Sequence, residues 1–163
     1  MNNRMINGHF DAGSLLPWTC TNTSPAAPSA ARLHGGTVNS CISQYVKVNP
    51  GETLDLLVSL SDVKAPLTIS VVFYSASYAF LGYGLIKNIA FDAGNKGTMN
   101  VREAVSAAPA GTAQALILIN KLPHAGSSDV LVTGVELFSG AEEEPMVVDI
   151  FKLIESRQSL IKS

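Results

Sequence analysis

One carboxylate near the start of the chain has neighbours that could help it hold a metal ion. Asp11 follows an Asn-Gly turn at Asn7-Gly8 and precedes Gly13, with Trp18 shortly after. Carboxylate and backbone carbonyl oxygens are the ligands of calcium, which takes roughly six to eight of them. Two interpretations of Asp11 are therefore open: a calcium ligand, or a side chain that caps its own turn. No other cofactor is expected.

A cluster of aromatic residues is the best candidate for a ligand-binding face. It begins at Tyr78 and runs through Phe80 to Tyr83. Two or three coplanar, exposed aromatic rings would let sugar rings stack on them. We predict Tyr74, Tyr78 and Tyr83 as the ligand-binding residues, with ordinary packing of a hairpin as the alternative. Trp18, the one tryptophan, is expected in the core.

Other chemistry finds little support in the spacing of reactive residues. The three histidines are far apart, with none of the spacing of a zinc site. There is no Gly-x-Ser-x-Gly elbow and no phosphate-binding glycine loop. Cys20 and Cys41 are interpreted as buried free thiols, with a disulfide or an intermolecular bridge as alternatives. We therefore predict that the chain is not an enzyme.

Short strands must position these residues. Apolar and polar residues alternate over runs bounded by turn residues, as in Leu54–Leu60, which is typical of half-buried strands. Nine strands are predicted: Leu15–Thr21, Ala30–His34, Cys41–Val48, Thr53–Ser61, Leu67–Ser75, Ala79–Ile86, Gly97–Ala104, Ala113–Asn120 and Val130–Phe138. The pattern predicts an all-β sandwich over residues 1–140.

Composition limits the class of protein. Hydrophobic residues make up 47% of the 163 residues and charged residues 15%, which argues against a disordered chain. The net charge of -2 leaves no basic stripe, so nucleic acid is not an expected partner. No apolar run approaches the roughly 20 residues of a membrane span, and no secretory signal is evident.

The end of the chain differs from the rest. Residues 141–146 contain three consecutive glutamates followed by Pro145, and we predict that they form a linker. Acidic residues before a proline also indicate the start of a helix. An amphipathic helix is predicted over 147–163. It either packs on its own domain or drives oligomer formation through its apolar face. The residues predicted for oligomerisation are Val147, Ile150, Phe151, Ile154 and Ile161.

Several segments together resemble a domain family of spore-forming bacteria, the N-terminal domain that precedes collagen-like triplet repeats in spore-surface proteins. The likeness spans about residues 5–138 and is carried by Asn7 through Trp18, Ala31–Asn39, Val48–Glu52, Leu57–Leu60, Phe80–Ile86, Gln114–Pro123 and Ser128–Val132. More distantly, the chain is similar to galactose-binding-like jelly-roll modules that bind carbohydrate. In such sandwiches the first corner often holds a structural cation.

The resemblance also shows two departures. The family pattern implies an acidic pair in the last strand, where this chain has Thr133-Gly134, and glycine triplets where it has Glu142–Ser163. The resemblance implies a non-catalytic assembly module of the spore surface, or exosporium, that forms a homo-oligomer. It would be made in the mother cell without a signal peptide; otherwise a cytoplasmic protein is expected. The alternative function is a carbohydrate-binding module with a glycan partner.

Overall fold

A computed structural model describes residues 2–90 and 94–140, without the side chains of 94–97. The predicted linker and helix, with the five residues predicted for oligomerisation, lie outside the described residues. The strands are β1 (Thr19–Thr21), β2 (Thr23–Ala26), β3 (Ala30–Leu33), β4 (Ser40–Lys47), β5 (Leu54–Val63), β6 (Leu67–Tyr74), β7 (Phe80–Ile89), β8 (Gly94–Val105), β9 (Gln114–Lys121) and β10 (Val130–Ser139). In the described part of the chain, no helix is long and apolar enough to cross a membrane.

The strands form two five-stranded sheets that face each other. Sheet A has the order β1-β4-β9-β6-β7, and sheet B has the order β2-β3-β10-β5-β8. All pairings between these strands are antiparallel. The predicted all-β sandwich is therefore confirmed.

Alternating burial explains why these sequences form strands. In β5, Leu54, Leu56, Val58 and Leu60 are buried, while the residues between them are partly exposed. Successive side chains of a strand point to opposite faces, so this pattern sends one face into the core. The central strand β9 was predicted to be apolar on both faces, and it lies between β4 and β6.

Besides shifts of one to three residues at several strand ends, two features differ from the prediction. β2 was not predicted, because Pro25 interrupts a polar stretch, and proline is tolerated chiefly in edge strands. β2 is indeed the edge strand of sheet B. The predicted strand from Leu15 begins only at Thr19, since the amide of Trp18 donates to the carbonyl of Leu15 in a turn, at 2.8 Å.

Residues 3–8 form a strap that joins the two sheets. The Arg4 amide donates to the carbonyl of Leu137, and the amide of Val135 donates to the carbonyl of Gly8, at 2.9 and 2.7 Å. β3 pairs with β10 only over Val130–Val132, so the strap takes its place farther along β10. The strap is tied to sheet A by the Gln44 side chain, whose amide binds the backbone N–H and C=O of Ile6 at 2.8 and 2.9 Å.

The close approach of the strap to β10 can be tested at Gly8. A Cβ atom there would overlap the carbonyl oxygen of Val135, which is backbone and cannot move aside cheaply. We expect Gly8→Ala to lower the free energy of unfolding by about 1–3 kcal/mol, as overpacking does. Chemical denaturation measures this. Gly140→Ala is the matched control, since its Cβ would meet its nearest neighbour at 3.5 Å, and equal stability losses would contradict the prediction.

Candidate ligand-binding face

The outer face of sheet A carries the aromatic residues. Strand pairing places side chains on this face in cross-strand rows. One row contains Lys47, Gln114, Tyr74 and Phe80. The next row on the same face, two residues along each of β4, β9 and β6, contains Tyr45, Leu116, Val72 and Tyr83. Directly opposed residues of antiparallel strands share a face, so every member of a row points outward. β4, β9, β6 and β7 thus present one continuous surface.

Five rings form a chain of contacts across this surface, which we call the aromatic arc: Tyr45, Tyr74, Tyr78, Phe80 and Tyr83. Tyr45 contacts Tyr74 and Tyr78, with ring centroids 5.9 and 5.3 Å apart. Tyr74 contacts Phe80 at 6.4 Å, and Phe80 contacts Tyr83 at 5.3 Å. The arc includes all four tyrosines of the chain and reaches from β4 to β7.

The surface is recessed along its middle. Tyr45 on β4 and Tyr83 on β7 are 48% and 58% exposed, whereas Val72, between them on β6, is only 6% exposed. In the next row Ile86 is 54% exposed and Ser70 only 5%. Exposed side chains on β4 and β7 therefore stand beside buried side chains on β6, and we call the surface between β4 and β7 the trough; the aromatic arc crosses one part of it.

Tyr78 is held in the arc by a strained turn. Its φ angle is 63°, in the left-handed region that bulky residues rarely adopt. The turn is fixed by hydrogen bonds from the amides of Tyr78 and Ala79 to the backbone carbonyl and the hydroxyl of Ser75, at 2.9 and 3.1 Å. The Gln114 side chain donates to the carbonyl of Ser75 at 2.7 Å. Strain of this kind persists only where surrounding contacts impose it, and it concentrates at functional sites.

A pocket of about 510 Å³ opens beside the arc at the edge of β4. Tyr45 and Lys47 line the pocket on the side of the outer face. Its other walls include Gln44, Asn49, Arg4 and Glu52. We call it the edge pocket. The Arg4 guanidinium forms two hydrogen bonds with the Glu52 carboxylate, the one from Nη1 at 3.0 Å, and also bonds the carbonyl of Lys47 at 3.4 Å. The hydrogen bond from Arg4 lowers the pKa of Glu52, against the opposing effect of burial.

The structure brings together all three predicted ligand-binding tyrosines. Tyr74, Tyr78 and Tyr83 lie in one arc, but adjacent rings meet edge to face, at angles of 64–82°, not as the predicted coplanar platform. Sequence reasoning omitted Tyr45 and Phe80 from the predicted site. Phe80 lay within the predicted cluster, and the outward position of Tyr45 in the alternation of β4 was the available signal for it.

The predicted calcium ligand has few potential partners. Asp11 is exposed, and the described residues contain no group of three His, Cys, Asp or Glu side chains that could hold a metal. Nearby, the His9 ring lies against Gly134 and its Nε2 atom is 2.9 Å from the Glu136 carboxylate. The last strand therefore does face this corner, but it contributes a glycine at the position where the resemblance implied an acid.

Trp18 and Cys20 pack with the core, whereas Cys41 lies on the outer face of sheet A. Trp18 is 4% exposed, as expected for a core residue, and its ring packs on Phe10 at 5.7 Å. Both cysteines are free and partly buried. Cys20 is paired with Ile42, and Cys41 with Thr21, so the two thiols point to opposite faces of the sheet. Burial raises the pKa of Cys20, and Cys41 adds to this.

Comparison with known proteins shows the fold. No protein-family model and no curated protein sequence matches the chain. The structure is similar to the carbohydrate-binding module TmCBM61 in complex with β-1,4-galactotriose, with a TM-score of 0.57, 11% identity, and 85% of this chain and 99% of that chain covered. It is also similar to the CBM22-1 xylan-binding domain of Paenibacillus barcinonensis Xyn10C, with a TM-score of 0.57, 14% identity, and 85% and 97% covered.

A third similar structure is longer. The enzymatically active domain of bacteriophage CBA120 tailspike protein 4 matches with a TM-score of 0.64 and 18% identity, over 84% of this chain but only 21% of that chain. The structural similarity shows a shared jelly-roll fold, which confirms the predicted architecture. Because the sequence identities are low, it shows the fold alone. Nothing in these comparisons supports the resemblance to the spore-surface domain.

The ion pair in the edge pocket predicts acid sensitivity. A carboxyl group whose pKa is lower in the folded protein stabilises it above the ordinary value of 4.5, and this contribution is lost as the pH falls through the folded value. We expect the melting temperature of the wild type to fall more steeply between about pH 5 and 3 than that of Glu52→Gln.

Thermal unfolding over a pH series measures this. Arg4→Met should flatten the same limb of the curve, because the hydrogen bond from Arg4 is the largest cause of the lowered pKa. Equal steepness in the wild type and in Glu52→Gln would contradict the prediction.

Proposed function

We propose that this chain is a non-catalytic glycan-binding module whose sugar ligand lies in the trough of sheet A. The observation that carries the proposal is the aromatic arc. Tyr78, Phe80 and Tyr83 are each more than half exposed, although burying such rings is strongly favourable. A cluster of large exposed apolar groups marks an interaction surface in a soluble protein. The C–H groups of a sugar can pack on these rings while its hydroxyls remain hydrated.

The charge distribution favours binding over hydrolysis. Glycoside hydrolysis ordinarily needs two carboxyl groups flanking the scissile bond. The outward positions of β4, β9, β6 and β7 contain no Asp or Glu. The nearby carboxylates form ion pairs away from the trough. Glu52 binds Arg4, and the Oε1 atom of Glu103 is 3.1 Å from the Nζ atom of Lys87 at another edge of the sandwich. A ligand in the trough would therefore meet aromatic, aliphatic, hydroxyl and amide groups.

The similar structures support the same class of ligand. Several of them are carbohydrate-binding modules, and this chain covers nearly the whole length of TmCBM61 and of the xylan-binding domain. The tailspike and an arabinofuranosidase are matched over 21% and 26% of their chains, so activities of those longer proteins do not bear on this one. The identity of the sugar is left to experiment.

A second candidate function uses the same face. The exposed rings together with Ile86 form an apolar patch that a second copy of the chain could cover. The sequence also predicted a self-associating assembly module, but through the helix of residues 147–163 and not through this face. Its location at the spore surface rests on the resemblance alone and stays a prediction. The homo-oligomer and the part played by residues 147–163 are likewise proposals.

Truncating one exposed ring tests the glycan proposal. We expect Tyr83→Ala to weaken glycan binding about tenfold or more, because removing a central aromatic anchor costs on the order of 1–2 kcal/mol. A glycan array followed by titration calorimetry measures this. Phe138→Ala, on the outer side of sheet B, is the matched control and should bind as the wild type does.

Two outcomes would contradict the glycan proposal. One is binding that survives in Tyr83→Ala and in Tyr78→Ala. The other is an absence of glycan binding combined with an oligomer that Tyr83→Ala converts to monomers in light scattering. The second outcome would favour the assembly function in its place.

The strained turn gives a sharper test at Tyr78. Glycine adopts a φ of 63° without the steric cost that tyrosine bears, which is roughly 1–2 kcal/mol. Tyr78→Gly should therefore keep or raise the melting temperature while weakening glycan binding. Tyr78→Ala should weaken binding equally but be less stable than Tyr78→Gly. If Tyr78→Gly bound glycan as well as the wild type, the strained ring would have no role in recognition.

A further inference from the structure

The edge pocket adjoins the aromatic arc at Tyr45, on the side of β4 that faces away from the trough. β1 pairs with β4 only over Cys41–Ser43, so the edge of β4 from Gln44 onward has no neighbouring strand on that side. The pocket lies there, and Tyr45 belongs to both features: its ring contacts Tyr74 and Tyr78 in the arc, and it lines the pocket. A ligand that stacks on the arc and passes Tyr45 therefore enters the edge pocket.

The charge at this end of the face is positive. Lys47 is the only charged residue among the outward positions of β4, β9, β6 and β7. It is exposed, and it forms no ion pair with any residue that the structure describes. The other two charges of the pocket, Arg4 and Glu52, compensate each other. One uncompensated ammonium group thus remains beside the path of the ligand.

Lys47 is also well placed relative to the rings. It lies in the same cross-strand row as Tyr74 and Phe80, separated from Tyr74 by Gln114 of β9. Two strand spacings correspond to about 10 Å between the backbones of β4 and β6. An extended oligosaccharide can therefore stack on the arc and still reach the ammonium group with another of its sugars.

We propose that the edge pocket recognises the carboxylate of an acidic sugar, a uronic acid, in the glycan that the arc binds. This inference rests on the proposed function and adds the charge class of the ligand. Lys47 supplies the charge-assisted hydrogen bond. The bonds of Arg4 to Glu52 and to the carbonyl of Lys47 fix the wall from which Lys47 extends. The outward strand positions contain no acid that would repel a uronate.

The test compares matched neutral and acidic probes. The probes are cello-oligosaccharides paired with the same oligosaccharides oxidised at C6 to glucuronates, and xylan paired with glucuronoxylan. Each is titrated at low and at high salt. We expect the wild type to bind the acidic member of a pair more tightly, by about fivefold for one exposed ion pair at low salt. High salt should remove most of the difference.

Variants separate this inference from the proposed function. Lys47→Met should remove the preference, because binding of the acidic probe falls by more than binding of the neutral probe does, and Lys47→Glu should reverse the preference. Lys64→Met, an exposed lysine after β5 in sheet B, is the matched control and should keep the preference. Trp18 fluorescence verifies that each variant is folded.

Two results would overturn the inference. Equal or tighter binding of neutral probes by the wild type would show that the edge pocket does not select acidic sugars, while the glycan-binding function would stand. A preference for acidic probes that persists in Lys47→Met would show that Lys47 is not its source. An absence of binding to any glycan, neutral or acidic, would instead overturn the proposed function itself.

Discussion

The pleat and register of sheet A are the constraint on which the rest of the site depends. Tyr45, Tyr74 and Tyr83 come from three different strands, and they share a face only because each pairs in the phase that turns it outward. A shift of one residue in β4 would exchange Tyr45 for Gln44 and expose the core residues Ile42 and Val46. The hydrophobic core therefore fixes the position of the rings: the pairing that buries Ile42 is the pairing that presents Tyr45.

The inner face of sheet A contributes to stability, and its outer face carries the residues proposed for recognition. The inner face follows ordinary packing rules, with Ile69, Ile117 and Ile119 all fully buried. The outer face departs from them in two ways: it leaves large rings in solvent, and it holds Tyr78 at a positive φ. Such departures are expected where a surface is kept for a ligand, although the buried Phe10 in the first corner also has a positive φ, of 55°.

The sequence was sufficient for the architecture and for part of the face. Period-2 patterns located nine of the strands, since alternate burial leaves a local signature, whereas β2 has little apolar content and contains Pro25. Tyr74, Tyr78 and Tyr83 could be grouped because one hairpin carries them. Tyr45 reaches them only through the pairing of β4 with β9 and of β9 with β6. Pairing between distant strands has no local signature.

Other features of the site depend on geometry that a pattern does not encode. The rings of the arc meet edge to face, which follows from the side chains' directions and not from their spacing. The edge pocket combines Arg4 with Glu52, which lie on different segments of the chain. The corner that contains Asp11 meets β10 through the His9 ring, which packs on Gly134, and the chemistry of such a corner depends on the residues that stand opposite it.

The strap of residues 3–8 also has a consequence for the order in which contacts form during folding. Its side-chain hydrogen bonds at Asn3 join residues 132 and 134 positions apart. During synthesis these first residues leave the ribosome long before β10 exists, so they must wait without their partners. Contacts of such long sequence separation form slowly and late. Pairing with β10 therefore closes the strap into place, and the edge pocket, whose wall includes Arg4, depends on that late contact.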